Sequence, residues 1–193
     1  MKYFTIDTLG NLNDPRLCVL DEVPEGVGIK YYCMMKGKRI GADYPADAKL
    51  YMSDKYTGIK LSSLIGNTKS YLIVCGEMKD VIDSHCSAEV EYLPFTLYNH
   101  KKRIHSKNYF IVNPIGALDC LNLEASKIKY FKDRVVSVDK FVLDPKKLAN
   151  APSLFRIKED PTEYVINQQL ANAIKEGKFT NVVLREIEQV ESR

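Results

Sequence analysis

Two segments of this chain, 92 residues apart, carry the same apolar pattern without a gap. Val74, Met78, Val81, Ile82, Val90 and Tyr92 stand opposite Ile166, Leu170, Ala173, Ile174, Val182 and Leu184. In each copy a short apolar run leads into residues spaced i, i+3 and i+4, and a second extended run follows. Each therefore reads as strand, helix, strand. A unit of this kind is a scaffold, and neither copy carries a nucleophile, a metal cluster or a phosphate loop.

Around that repeat, 193 residues set the prior at one domain over 1–193, or two subdomains of about 1–98 and 99–193 sharing a core. A chain of this length buries roughly 70% of its unfolded surface and needs no disulfide or metal staple. The five cysteines (Cys18, Cys33, Cys75, Cys86, Cys120) are odd in number and widely spaced. They read as reduced, mostly buried thiols in a reducing compartment. Met1 to Asp7 alternates like a first strand and lacks the apolar core of a signal peptide, and no run reaches membrane-spanning length. These features predict a cytoplasmic soluble protein. The net charge of +3 is uneven: residues 1–100 hold 11 Lys/Arg against 13 Asp/Glu, residues 101–193 hold 17 against 12. A bias that small does not imply nucleic acid and suits an acidic protein surface or no partner at all.

Residues 8–60 are crowded with turn formers, so strands there must be short, with Gly28–Met35 and Lys49–Met52 the better candidates. Leu61 to Asn67 reads as a helical turn ending at Gly66 and leading into a strand at Tyr71–Val74. A helix is predicted near Gly76–His85, with Met78, Val81, Ile82 and His85 on one stripe. Val90–Tyr98 reads as a strand with an edge or bulge at Pro94, paired with Asn108–Asn113 through a polar loop, Asn99–Lys107. Arg134–Leu143 is another extended run. Asp144 followed by Pro145 starts one or two helical turns. The second helix begins after the N-cap Asn167 and stops at Gly177. The tally predicts an α+β fold, mostly antiparallel sheet with two or three short helices and a pseudo-repeated strand–helix–strand unit.

Candidate chemistry is sparse. Cys86 beside His85 invites a thiol–imidazole pair, but neighbours on a helix do not face each other. His100 and His105 flank Lys101, Lys102 and Arg103, whose charge would repel a metal. Glu89/Glu91 and Glu186/Glu188 lie at strand spacing, which suits a solvated sheet face better than an acid–base pair. No hydrolase elbow, Walker loop, zincin helix or Rossmann glycine set is present. The loop His100–Lys107 remains open to three readings: a solvated tip, a protein-docking loop or a phosphate contact. Ile104 among Lys101, Lys102, Arg103 and Lys107 favours docking onto an acidic protein. Only Tyr98 and Tyr109 bracket it, which is thin for nucleic-acid stacking.

From Tyr109 onward the order of segments is distinctive. Tyr109–Asn113 precedes Ala117–Ser126, followed by Phe141–Asp144, Leu154–Ile157, and Val165–Asn167 with its helix and closing strand. Gly58–Gly66, Tyr71–Ile82 and Glu91–Pro94 extend the pattern backwards, so it spans roughly residues 58–190. This resembles a bacterial family of immunity proteins from polymorphic toxin systems, first catalogued as an uncharacterised domain and named after a myxobacterial immunity protein. The resemblance implies a cytoplasmic antidote, encoded beside a toxin delivered between bacteria, that binds this toxin and needs no cofactor. A small hydrolase that reverses a toxin's modification is the alternative, and a nucleic-acid binder acting through Lys101–Lys107 a third.

Overall fold

A computed structural model describes residues 1–192. Its strands are β1 (Tyr3–Ile6), β2 (Val19–Leu20), β3 (Lys49–Tyr51), β4 (Gly66–Asn67), β5 (Leu72–Cys75), β6 (Val90–Tyr98) and β7 (Ile104–Pro114). They continue as β8 (Lys127–Phe131), β9 (Arg134–Lys140), β10 (Val142–Leu143), β11 (Leu154–Arg156), β12 (Tyr164–Asn167), β13 (Leu184–Glu186) and β14 (Glu188–Gln189). The helices are α1 (Tyr31–Met35), α2 (Gly76–His85) and α3 (Gln168–Glu176). This is an α+β fold, built on two four-stranded sheets of order β3-β6-β7-β5 and β11-β12-β1-β13.

The repeated pattern becomes a repeated topology. β5, α2 and β6 form one unit, and β5 and β6 both pair antiparallel with β7, which lies between them. β12, α3 and β13 form the other, and both strands pair antiparallel with β1. The registers correspond: Val74 faces Phe110 where Ile166 faces Phe4, and Tyr92 faces Val112 where Leu184 faces Ile6. The central strands match in sequence too, Tyr3-Phe4-Thr5-Ile6 against Tyr109-Phe110-Ile111-Val112. One copy takes its middle strand from the residues that follow it, the other from the N-terminus.

Strands expose alternate residues on opposite faces, so each sheet needs two coverings. The inner faces meet the two helices in one core: Leu72, Val74 and Val112 from the first sheet, Phe4, Ile6, Tyr164 and Ile166 from the second, with Met78, Ile82, Leu170 and Ile174. The outer face of the first sheet (Ile73, Leu93, Phe95, Ile111) is covered by residues from Cys18 to Ile65. That of the second (Tyr3, Phe155, Val165) is covered by Cys120, Leu121, Leu143 and Leu148.

Both long helices form where they are predicted, α2 from its apolar stripe and α3 from its caps. The Asn167 side chain accepts from Leu170 N at 3.0 Å, and a Cβ on Gly177 would meet the Phe179 ring at 2.4 Å. Asp144 likewise accepts from Lys146 N ahead of the turn Pro145–Leu148. β3 pairs with β6 only from Thr96 onward, which leaves Pro94 at an edge.

Several expectations are corrected. Gly28–Met35 is not a strand: it is a 3-10 turn and α1, with only Met34 buried. Gly28, with φ at +57°, starts that turn, and Gly37, with φ at +63°, follows the helix. Leu61–Asn67 is not a helical turn: Gly66 pairs in β4, and a Cβ there would lie 2.2 Å from Leu9 O. Its glycine serves close backbone approach. The loop Asn99–Lys107 is shorter than expected, because β7 already begins at Ile104. β8 has no counterpart in the sequence reading.

We propose that the chain unfolds as one unit, since the inner core draws on both sheets. Leu170→Ala or Ile174→Ala should lower stability by about 2–5 kcal/mol in urea titration, in a single transition seen alike by all probes. Two resolved transitions would restore the reading as two subdomains.

Candidate functional site

The β6–β7 tip carries the residues predicted to bind a partner. Asn99 organises it: its side chain accepts from the backbone N–H of Lys101 at 3.0 Å and of Arg103 at 3.1 Å. Lys102 takes a left-handed conformation, φ at +54°. His100 is drawn inward, its Nε2 at 3.0 Å from Ser53 O. Lys101, Lys102, Arg103, Ile104 and Lys107 are all exposed, Ile104 at 55%. Lys101, Lys102 and Arg103 lie in the turn, while Ile104 and Lys107 sit on β7. Among the described residues none of the four cations forms an ion pair, whereas Lys2, Lys30, Lys146 and Lys147 all end on carboxylates. The bracketing tyrosines do not join this surface. Tyr109 is buried and donates to Ser62 O at 2.8 Å, and Tyr98 lies against Tyr51, ring centroids 5.2 Å apart.

The remaining candidates resolve differently. His85 leaves the apolar stripe, is exposed, and turns its Nδ1 back to Val81 O at 2.9 Å at the helix end. Cys86 is half-buried, and burial raises its thiol pKa, as it pushes Cys18 and Cys120 up to about 12. Such thiols are poor nucleophiles. Glu186 and Glu188 form surface ion pairs with Lys2 and Lys140. Glu91 contradicts the expected solvated face. It is buried, and its carboxylate accepts from Ile40 N, Gly41 N and Asn113 Nδ2 at 3.0, 2.9 and 3.0 Å.

Glu91 belongs to a polar network that sequence reasoning missed, centred on Arg156 of β11. Its guanidinium is fully buried, and its five N–H groups are shared among six oxygens within hydrogen-bond distance. These are Met34 O (2.7 Å), Met35 O (3.0 Å), Pro114 O (3.3 Å), Pro161 O (2.6 Å), Asn113 Oδ1 (3.2 Å) and the Tyr164 hydroxyl (2.6 Å). Its Cζ also lies 4.1 Å from the Tyr164 ring centroid. The Met34 and Met35 carbonyls are the unpaired C-terminal groups of α1, which a cation suits. Tyr164 accepts from Leu72 N and donates to Ser70 O, so the network reaches β5. A lone arginine in a strand carries no sequence mark that its partners will include carbonyls from two distant segments.

One polar cleft, of about 420 Å³, opens between β1 and the loop before β12. Its lining includes Thr5, Asp7, Thr68, Ser70, Glu163 and Arg185. Arg185 pairs with Asp7 at 2.5 Å. Burial, reinforced by Asp160 and Asp7, raises the Glu163 carboxyl to about 7, and Arg185 offsets this only in part. Among the described residues no group of His, Cys, Asp and Glu is arranged to hold a metal ion. No helix there is long and apolar enough to cross a membrane.

A family model described as Immunity protein family (Imm11) matches residues 5–189 of the chain. No curated protein matches it.

Two variants probe the interior. Arg156→Lys keeps the charge but cannot reproduce the fork, and should cost about 3–5 kcal/mol in urea titration; a loss under about 1 kcal/mol would show the network dispensable. Glu163 binds its proton more tightly folded than unfolded, so the native state gains from it at low pH. That gain is lost as pH rises from the ordinary glutamate range through about 7. Glu163→Gln should therefore stabilise the protein at pH 8 by about 1–3 kcal/mol and be near neutral at pH 4. Equal effects at both values would contradict the raised pKa.

Proposed function

Because the chain belongs to the Imm11 family of immunity proteins, we propose that it neutralises a cognate bacterial toxin by stoichiometric protein–protein binding. The family match over nearly the whole chain carries this reading. In it the protein works in the cytoplasm, against a toxin encoded by an adjacent gene and delivered between competing bacteria, and needs no cofactor. The exposed tip supports it: Lys101, Lys102, Arg103 and Lys107 surround an apolar Ile104 on a turn whose shape is fixed by its own hydrogen bonds. A preformed turn loses little entropy on docking, and loops on a rigid scaffold are the usual recognition surface. The tip suits a partner whose docking face is acidic, since a cationic face would repel it.

A second reading, a small hydrolase that reverses a toxin's modification, is favoured by one observation. Glu163 combines a carboxyl raised to about 7 with a polar cleft, which is the setting a general acid or base requires. Titration separates the two. Strict protection at one equivalent supports binding, and full protection well below one equivalent supports turnover.

Co-expression with the product of the neighbouring gene should yield a stable complex and restore growth, and failure with every adjacent reading frame would overturn the immunity reading. Within that complex, Lys101→Glu, Lys102→Glu and Arg103→Glu combined should leave the melting temperature unchanged. The combination should slow association about tenfold at low salt, and the wild-type on-rate should fall as salt rises. An unchanged on-rate would return the tip to a merely solvated role.

A further inference from the structure

The hairpin of β8 and β9 forms a two-stranded sheet of its own. Ile128 and Val138, which pair across it, pack against the core behind the second sheet. Beyond them the hairpin is an arm in solvent. Its alternation is broken by a register shift between Lys129 and Tyr130, and Tyr130, Phe131 and Val136 stand 53%, 67% and 65% exposed. Lys132, in a left-handed conformation with φ at +53°, turns the tip.

An isolated hairpin is marginal in water, and lysines on unpaired strand edges are a common guard against aggregation. That accounts for Lys127 and Lys129. It does not account for two aromatic rings and a valine at the exposed end, which worsen the hazard the lysines would prevent. Aromatic side chains beside arginine, at the end of a supported projection, are the composition of an interface anchor. The arm's charges point to the occupant. Lys129 and Lys140 are spent on Asp139 and Glu188. Among the described residues Lys127, Lys132 and Arg134 form no ion pair, with Asp133 the one acid at the turn. A second copy meeting this tip through a two-fold axis would set Lys132 and Arg134 against their own equivalents.

We infer that the β8–β9 arm is the apolar anchor of the complex, its Tyr130 and Phe131 seated in an acidic-rimmed apolar groove of the toxin. The inference rests on the immunity reading and deepens it: the β6–β7 tip steers the encounter, and the arm holds the bound state.

The test uses the full chain and the toxin encoded beside it. Tyr130→Ser with Phe131→Ser removes only exposed side chains, so the melting temperature should hold while dissociation quickens by at least ~30-fold. Phe131→Leu should recover most of the lifetime. Lys132→Glu with Arg134→Glu should weaken binding, and more so at low salt. Hydrogen exchange on the wild-type complex reads the same surface without any variant, and amides from Lys129 to Val136 should gain protection. A wild-type lifetime for the serine variant, or unchanged exchange across the arm, overturns the inference and leaves the immunity reading standing. A wild-type chain that binds no neighbouring toxin removes both. A concentration-dependent dimer in sedimentation that Phe131→Ser abolishes would make a second copy the occupant, against the inference.

Discussion

The structure turns on a buried cation that, among the described residues, has no carboxylate of its own. Arg156 is fully enclosed, and arginine does not lose its proton inside proteins. Its desolvation must be offset by fixed dipoles, and all six oxygens it meets are neutral: four backbone carbonyls, the Asn113 amide oxygen and the Tyr164 hydroxyl. The balancing charge arrives at one remove, where Asn113 accepts from Arg156 and donates to the buried Glu91. One guanidinium thereby joins α1 of the first cover, β7 of the first sheet, β11 and β12 of the second, and the loop at Pro161. A hydrophobic residue of similar volume could fill the space. It would leave the α1 carbonyls without donors, and buried acceptors without partners are costly. The neighbouring backbone is shaped to the same end. At Gly37, a Cβ would lie 2.5 Å from Gly116 O and 2.8 Å from the Arg156 Cδ, so only glycine lets α1 end against the arginine.

That network crosses the plane between two copies of one topology. In each copy, two parallel strands joined by a helix straddle an antiparallel third, and the helices meet in the shared inner core. Even the residues that link them correspond: Leu72 N donates to the Tyr164 hydroxyl, 92 positions apart. Such an arrangement commits both helices and both inner sheet faces to packing. Residues free to differ without disturbing the core therefore lie in exposed loops and in the projecting hairpins.

What was legible in the sequence follows the same division. The helices α2 and α3 were readable because period and caps act locally: Met78, Ile82, Leu170 and Ile174 mark a face, and Asn167 closes its own first turn. Gly28–Met35 was misread because its apolar residues resemble a strand, while a left-handed glycine and a carbonyl-to-arginine contact decide its shape. Gly66 was taken as a cap because glycine ends helices and equally admits a close backbone, and only the position of Leu9 separates the two. Glu91 sits at the spacing of a solvated face, yet two backbone N–H groups from the 40–41 turn and Asn113 bury it. The tip residues Lys101, Lys102, Arg103, Ile104 and Lys107 were visible as a basic cluster. The arm was not, because Lys127–Phe131 is too short and too charged to announce a strand until β9 pairs with it.

The charge asymmetry of the sequence takes on a physical form in this light. The excess of Lys and Arg in residues 101–193 is no diffuse basic face, because Lys146, Lys147 and Lys158 are held by Glu191 and Asp119. Among the described residues, charges without ion-pair partners include Lys101, Lys102, Arg103 and Lys107 of one hairpin and Lys127, Lys132 and Arg134 of another, and each set lies beside exposed apolar side chains. Unpaired surface charge costs the folded chain little in water, while apolar groups beside it gain only when a partner removes them from solvent. Charge acts across a Debye length and apolar contact only on touching. In the proposed complex, placing both on hairpins outside the core would let attraction at a distance precede burial on contact.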